Sequence, residues 1–164
     1  MVPMVESWTA ALEATALART LRSSVWAYPL VNAGHLLGVA LLLGGILPLD
    51  LKILGMWPSA PLLPLWRVLT RTAAVGLGLA VVCGALLFST RAAAYAASVF
   101  FIAKMGVVAV GTVNALALHV CACRRGRGVS WEANGLPGYV RWSAGLSLAA
   151  WFTALILGRL VGYF

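Results

Sequence analysis

Four long apolar runs divide the chain, at about 25–49, 69–88, 96–120 and 142–164. A helix needs roughly 20 apolar residues to cross a bilayer, and each run reaches that length. Glycine and alanine recur inside the runs, as they do in membrane helices, where small residues let backbones approach closely. Gly34/Gly38, Gly76/Ala80/Gly84 and Gly158/Gly162 repeat at four-residue spacing and predict faces of helix contact.

Short linkers separate the runs. The segment 56–65, MWPSAPLLPL, carries three prolines and reads as a loop. The segment 89–95 is a tight connection. The segment 123–141 is the longest, and its glycines and proline forbid a long helix there. Before the first run, Met1–Ser24 holds Glu6 and Glu13 and lacks an early basic cluster, so it does not read as a signal peptide. Ser7 is placed to cap a helix starting at Trp8, and Arg19 and Arg22 suit the negative end of its dipole. Glu6, Glu13 and Thr20 share one face, while Val5, Trp8 and Leu12 share another. The pattern predicts a short helix over about 7–22 lying at the membrane interface. No internal repeat stands out. The expected fold is all-α: one domain over 1–164, an integral-membrane four-helix bundle with a short N-terminal interfacial helix.

Composition supports that reading. The 164 residues are 62% hydrophobic and 10% charged, with a mean hydropathy of +0.96. A soluble domain is about 25% charged, so this chain has too few polar side chains to cover a water-facing surface. Twelve basic residues against four acidic ones give a net charge of +8. In a soluble protein that balance would suggest nucleic acid. Here the basic residues sit between apolar runs and no nucleic-acid motif is present, so they read as topology signals and contacts to anionic lipid headgroups. Lys52, Arg67, Arg71, Arg124, Arg125, Arg127 and Arg141 fall on the side of the first and third connections. Arg19, Arg22, Arg91 and Arg159 fall on the other. The positive-inside rule then places those two connections in the cytoplasm of a bacterial inner membrane, with both termini on the periplasmic side.

Ionisable and amide groups at bilayer depth are the natural candidates for function. Asn32 and His35 lie three residues apart on one face of the first run. His35 is near mid-membrane, where it serves as interhelical glue, axial haem ligand, proton relay or ligand donor; glue is the commonest use. Asp50 lies on the same face, five helical turns from Asn32 and just beyond Pro48, which predicts a kink. It reads as an interfacial charge or as a buried carboxylate partnered by His119 or an arginine. Lys104, Asn114 and His119 lie on the third run, with Lys104 expected to snorkel outward. Arg159, near the end of the fourth, snorkels or holds an anionic group.

No cofactor and no metal site are expected. His119, Cys121 and Cys123 read H-x-C-x-C, and residues two apart on a continuing helix point about 200° apart, so they converge only if the helix ends by Val120. Zinc sites also space their cysteines more widely. His35 and His119 differ in depth by roughly 20 Å, too far for one haem. Met105 lies within a few ångströms of His35 in depth, which leaves His35–Met105 as the one intrachain pair for haem b.

The opening LRSSVWAYPLVNAGHLLGVALLLGGILPLDLKILG, the stretch FFIAKMGVVAVGTVNALALH and the closing AGLSLAAWFTALILGRLVGYF together carry a resemblance that covers most of the chain. They resemble an uncharacterised bacterial family of small four-helix inner-membrane proteins. More distantly, the helix count and the histidine in the first span are similar to cytochrome-b-like and copper-resistance-D-like membrane proteins, which implies haem. The expected function is a non-enzymatic subunit or scaffold of a membrane complex, such as one for electron transfer, as a homo-oligomer or within a larger assembly. The alternatives are a haem-b redox module using His35 and a small-solute or proton transporter. No Ser-His-Asp set, phosphate loop or carboxylate pair points to an enzyme.

Overall fold

The computed structural model describes residues 2–123, 131 and 135–163. Arg124, Arg125 and Arg127, counted above as topology signals, lie outside the described residues. The fold is all-helical, with no strand among the described residues. In chain order the helices are α1 (Val2–Glu13), α2 (Ala16–Ser23), α3 (Ala27–Leu54), α4 (Leu62–Thr90), α5 (Ala92–Ala97), α6 (Val99–Cys123) and α7 (Gly138–Leu160). Helices α3, α4, α6 and α7 are long and apolar enough to cross a membrane, as a multi-pass membrane protein requires.

The N-terminal segment forms two helices rather than one over 7–22. Thr15 explains the break: its hydroxyl donates to the Leu12 carbonyl at 2.7 Å and accepts from the Ala18 amide at 3.3 Å. That ends one helix and caps the next. Helix α4 begins at Leu62, earlier than the prolines suggest. Pro61 precedes its first turn, and Pro64 falls within that turn, where a missing N–H costs nothing. Helix α3 runs unbroken past Pro48 and stops at Gly55, whose φ of 114° is open to glycine. Lys52 then closes the turn, its ammonium donating to the carbonyls of Trp57 at 2.7 Å and Pro58 at 3.1 Å.

Helices α3 and α4 form one close pair, and α6 and α7 the other. The pairs join through α3 and α7, whereas the backbones of α4 and α6 make no close approach and touch through the Phe88–Phe101 rings at one end. At one end, α1, α2 and α5 cover the bundle. Arg22 pairs with Glu13 at 3.7 Å and donates to the carbonyls of Glu13 at 2.6 Å and Thr90 at 3.3 Å. The Glu13 carboxylate accepts from the Ala93 amide at 2.8 Å. Phe88 stacks between Trp8 and Phe101, with ring centroids 6.2 and 5.4 Å away. At the opposite end Trp131, from the long connection, packs edge-on against Trp66 at 6.0 Å within a cluster that includes Ile53, Ala122 and Val140.

Candidate functional site

The α3–α4 seam is built on glycines. A Cβ on Gly38 would stand 2.5 Å from the Ala80 nitrogen, and one on Gly45 would stand 2.5 Å from the Leu69 carbonyl oxygen. A Cβ on Gly76 would run into the Leu42 backbone nitrogen and stand 2.7 Å from the Gly38 oxygen. No larger residue fits at these three positions, so the two backbones meet directly. His35 belongs to this seam. Its Nδ1 donates to the Ala80 carbonyl at 2.8 Å, and Gly84 leaves room for the ring, since a Cβ there would stand 3.1 Å from it. The sequence reading of His35 as interhelical glue describes this bond. Asn32, expected beside it, is exposed.

Between α4 and α6 lies a cleft of about 740 Å³. Leu42, Ile46, Leu77 and Leu116 supply apolar lining, Thr70 and Thr112 add hydroxyls, and the exposed Arg67, Arg71 and His119 stand toward the Trp131 end. The floor is Asp50 from α3 with Ser147 and Trp151 from α7. The Ser147 hydroxyl bonds the Asp50 carboxylate. Asp50 and Trp151 are each only 4% exposed, yet Asp50 Oδ2 and Trp151 Nε1 have no hydrogen-bond partner among the described residues. A buried polar atom left unpaired costs about 1–3 kcal/mol. Trp151 is held by Leu42, Ile46 and Ala73 and by the bare backbone of Gly111, where a Cβ would stand 3.1 Å from the indole. Its N–H is fixed in direction.

The cleft therefore gathers three residues singled out in the sequence, Asp50, Asn114 and His119, from two separate helices. Asn114 is also structural: its amide donates to the Ser143 carbonyl at 3.0 Å and its Oδ1 accepts from the Ser143 hydroxyl at 2.9 Å. The other candidates lie elsewhere. Lys104 is half-buried, and the end of its side chain lies against α7 near Gly158, within electrostatic reach of His35. Arg159 is exposed, donates to the Tyr163 hydroxyl and lies 4.6 Å over that ring. Met105 is 42% exposed. Helix α6 continues through Cys123, so His119 and Cys121 diverge rather than converge. Among the described residues no group of three or more His, Cys, Asp or Glu side chains is placed to hold a metal ion.

Ser147, Trp151, Arg67 and Arg71 were not singled out from the sequence as site residues. One signal was available: Ser143, Ser147 and Trp151 recur every four residues and form a polar stripe along one face of α7. Each turns out to meet an element of the cleft. Comparisons with protein families, with curated proteins and with solved structures gave no match to this chain.

Proposed function

We propose that the protein is a non-enzymatic binding subunit of the bacterial inner membrane, which holds a bilayer-borne guest in the α4–α6 cleft as part of a larger membrane assembly. The observation that carries this reading is the separation of the α4 and α6 backbones away from their Phe88–Phe101 contact, which leaves about 740 Å³ open within the bundle. Small-molecule sites typically occupy about 300–1,000 Å³ and are mostly apolar with a few fixed polar groups. This cleft matches that description. The gap between two spans faces sideways, so a guest enters from the lipid rather than from water. The basic residues Lys52 in the last turn of α3, Arg67 and Arg71 in the first half of α4 and Arg141 in the first turn of α7 support a cytoplasmic placement of that end. The termini then lie on the periplasmic face. The resemblance to small four-helix inner-membrane proteins supports the same placement.

Native mass spectrometry of protein released from its membrane in mild detergent tests the binding reading. The expected spectrum shows mass retained above the bare chain, and Ala115→Phe, which fills the cleft wall, removes it. A bare chain from the wild type would overturn the reading. For topology, a single cysteine at Ser59, in a background lacking the native cysteines, is expected to resist an impermeant thiol reagent in intact cells, while one at Ser7 reacts. The opposite pattern would reverse the orientation.

A further inference from the structure

We infer that the guest of the α4–α6 cleft is an apolar molecule ending in a hydroxyl group, a long-chain alcohol or a quinol, held by Asp50 Oδ2 and Trp151 Nε1. The inference rests on the binding reading above and adds the chemistry of the guest.

The floor of the cleft states two requirements. The indole N–H of Trp151 can only donate, so it needs an acceptor. The Asp50 carboxylate, when ionised, can only accept, so it needs a donor. Both atoms are buried in residues 4% exposed, and both lack a partner among the described residues. Trp151 follows Ser147, the residue bonded to Asp50, by one helical turn on α7. Asp50, Ser147 and Trp151 all line the same cleft. A carboxylate or phosphate guest would answer Trp151 but be repelled by Asp50. An ammonium guest would answer Asp50 and leave the indole N–H without an acceptor. A carbonyl or ether would answer Trp151 alone. A hydroxyl both donates and accepts, and it also serves if Asp50 is protonated, by accepting from it. The rest of the lining fits an apolar body, since Leu42, Ile46 and Leu77 flank the same floor.

The test compares molecules of one shape that differ in the hydroxyl. Full-length protein in lipid nanodiscs is titrated with 1-dodecanol and with its methyl ether, and occupancy is read by native mass spectrometry. A second pair, decylhydroquinone and decylbenzoquinone, separates a quinol source from an aliphatic one. The expected result is half-occupancy by the hydroxyl compound of at least one pair at a concentration about tenfold below that of its partner, the ratio that one discriminating hydrogen bond gives. Trp151→Phe and Asp50→Leu should each erase that ratio by weakening the hydroxyl compound, with ether or quinone binding unchanged. Equal binding within both pairs would overturn the hydroxyl assignment while the binding reading stands. No binding of any probe, with a wild-type chain that also carries no guest, would overturn both. The wild-type ratios alone decide the outcome if a variant fails to fold.

Discussion

Helix α4 has two faces that solve opposite problems. Toward α3 it presents Gly76, Ala80 and Cys83, and the two backbones touch without space for a methyl group. Toward α6 it presents Arg67, Thr70, Arg71, Ala74 and Leu77, which line the open cleft with no close approach of the α6 backbone. Burial follows the same division. In α3 39% of the apolar window is buried inside the bundle, and in α6 only 6%. Lipid is as apolar as leucine, so helices in a membrane associate where backbones can pack closely and where polar groups can pair. The seam has both, through its glycines and the His35–Ala80 bond. The cleft has neither closure nor full pairing, and it is where the buried carboxylate lies. Stability is concentrated on one side of α4 and binding capacity on the other.

The sharpest way to break this contrast is to enlarge a seam glycine. Gly76→Val puts a branched side chain against the backbone of Leu42, which can yield only if α3 and α4 separate. Overpacking of this kind costs about 3 kcal/mol or more when backbone has to move. Unfolding in mixed micelles is expected to show that loss, whereas Gly78→Ala, at a position with nothing within 4 Å, stays close to wild type. If the two variants lose stability equally, the seam is not what holds the bundle.

His35→Leu is the next largest effect. It removes the bond to the Ala80 carbonyl near one end of the seam and places a branched side chain beside Gly84. The expected loss is about 1–2 kcal/mol, since interhelical hydrogen bonds in membranes are worth about 1 kcal/mol and steric misfit adds to it. His119→Leu, at an exposed position on the rim of the cleft, is expected to cost less. The same unfolding assay compares the two, and a larger loss at His119 would place the critical histidine on the other side of α4.

These contrasts also show how far the chain could be read without coordinates. Four spans were legible because membrane helices announce themselves by length and hydropathy, and α3, α4, α6 and α7 fall on the four apolar runs. The Gly38–Gly76–Ala80 contacts were legible because four-residue spacing of small residues keeps one face clear. The pairing of helices was not. Nothing in the periodicity of α6 tells that it packs along α7 and stands apart from most of α4, because lipid accepts an apolar face as readily as a neighbouring helix does. The cleft was missed for the same reason. Asp50 was singled out as a costly charge, but its neighbours Ser147 and Trp151 come from a helix about a hundred residues away. Trp151 looked like ordinary apolar content until its N–H was seen to lack a partner.

On the cleft side the anchor is Asn114. Its reciprocal bonds to Ser143 join α6 to α7 and fix one wall. Asn114→Leu should cost about 1 kcal/mol. Removing the Ser143 hydroxyl as well should add little, because the two groups act as one pair. Fully additive losses in that double-mutant cycle would mean that the pair does not couple. Guest occupancy should fall further than stability does, since the wall moves while the seam remains.

The smallest expected change in stability is at Asp50, and its sign is what matters. Asp50 is 4% exposed, bonded by Ser147 through one part of its carboxylate and unpaired at Oδ2. A buried charge with incomplete partners is a poor stabiliser, and an apolar residue of similar volume in its place is often neutral or favourable. Asp50→Leu adjoins Leu49, Ile46 and Ile53 on α3 and loses only the bond to Ser147, which can turn its hydroxyl to its own helix backbone. Its stability is expected to match or exceed wild type by up to about 1 kcal/mol, while retention of the guest drops. A fold that gains nothing from a buried aspartate keeps it for another purpose, and the pairing of unchanged stability with lost binding would show that purpose directly. A strongly destabilised Asp50→Leu would instead make the carboxylate a structural post and return the cleft to the same role as the seam.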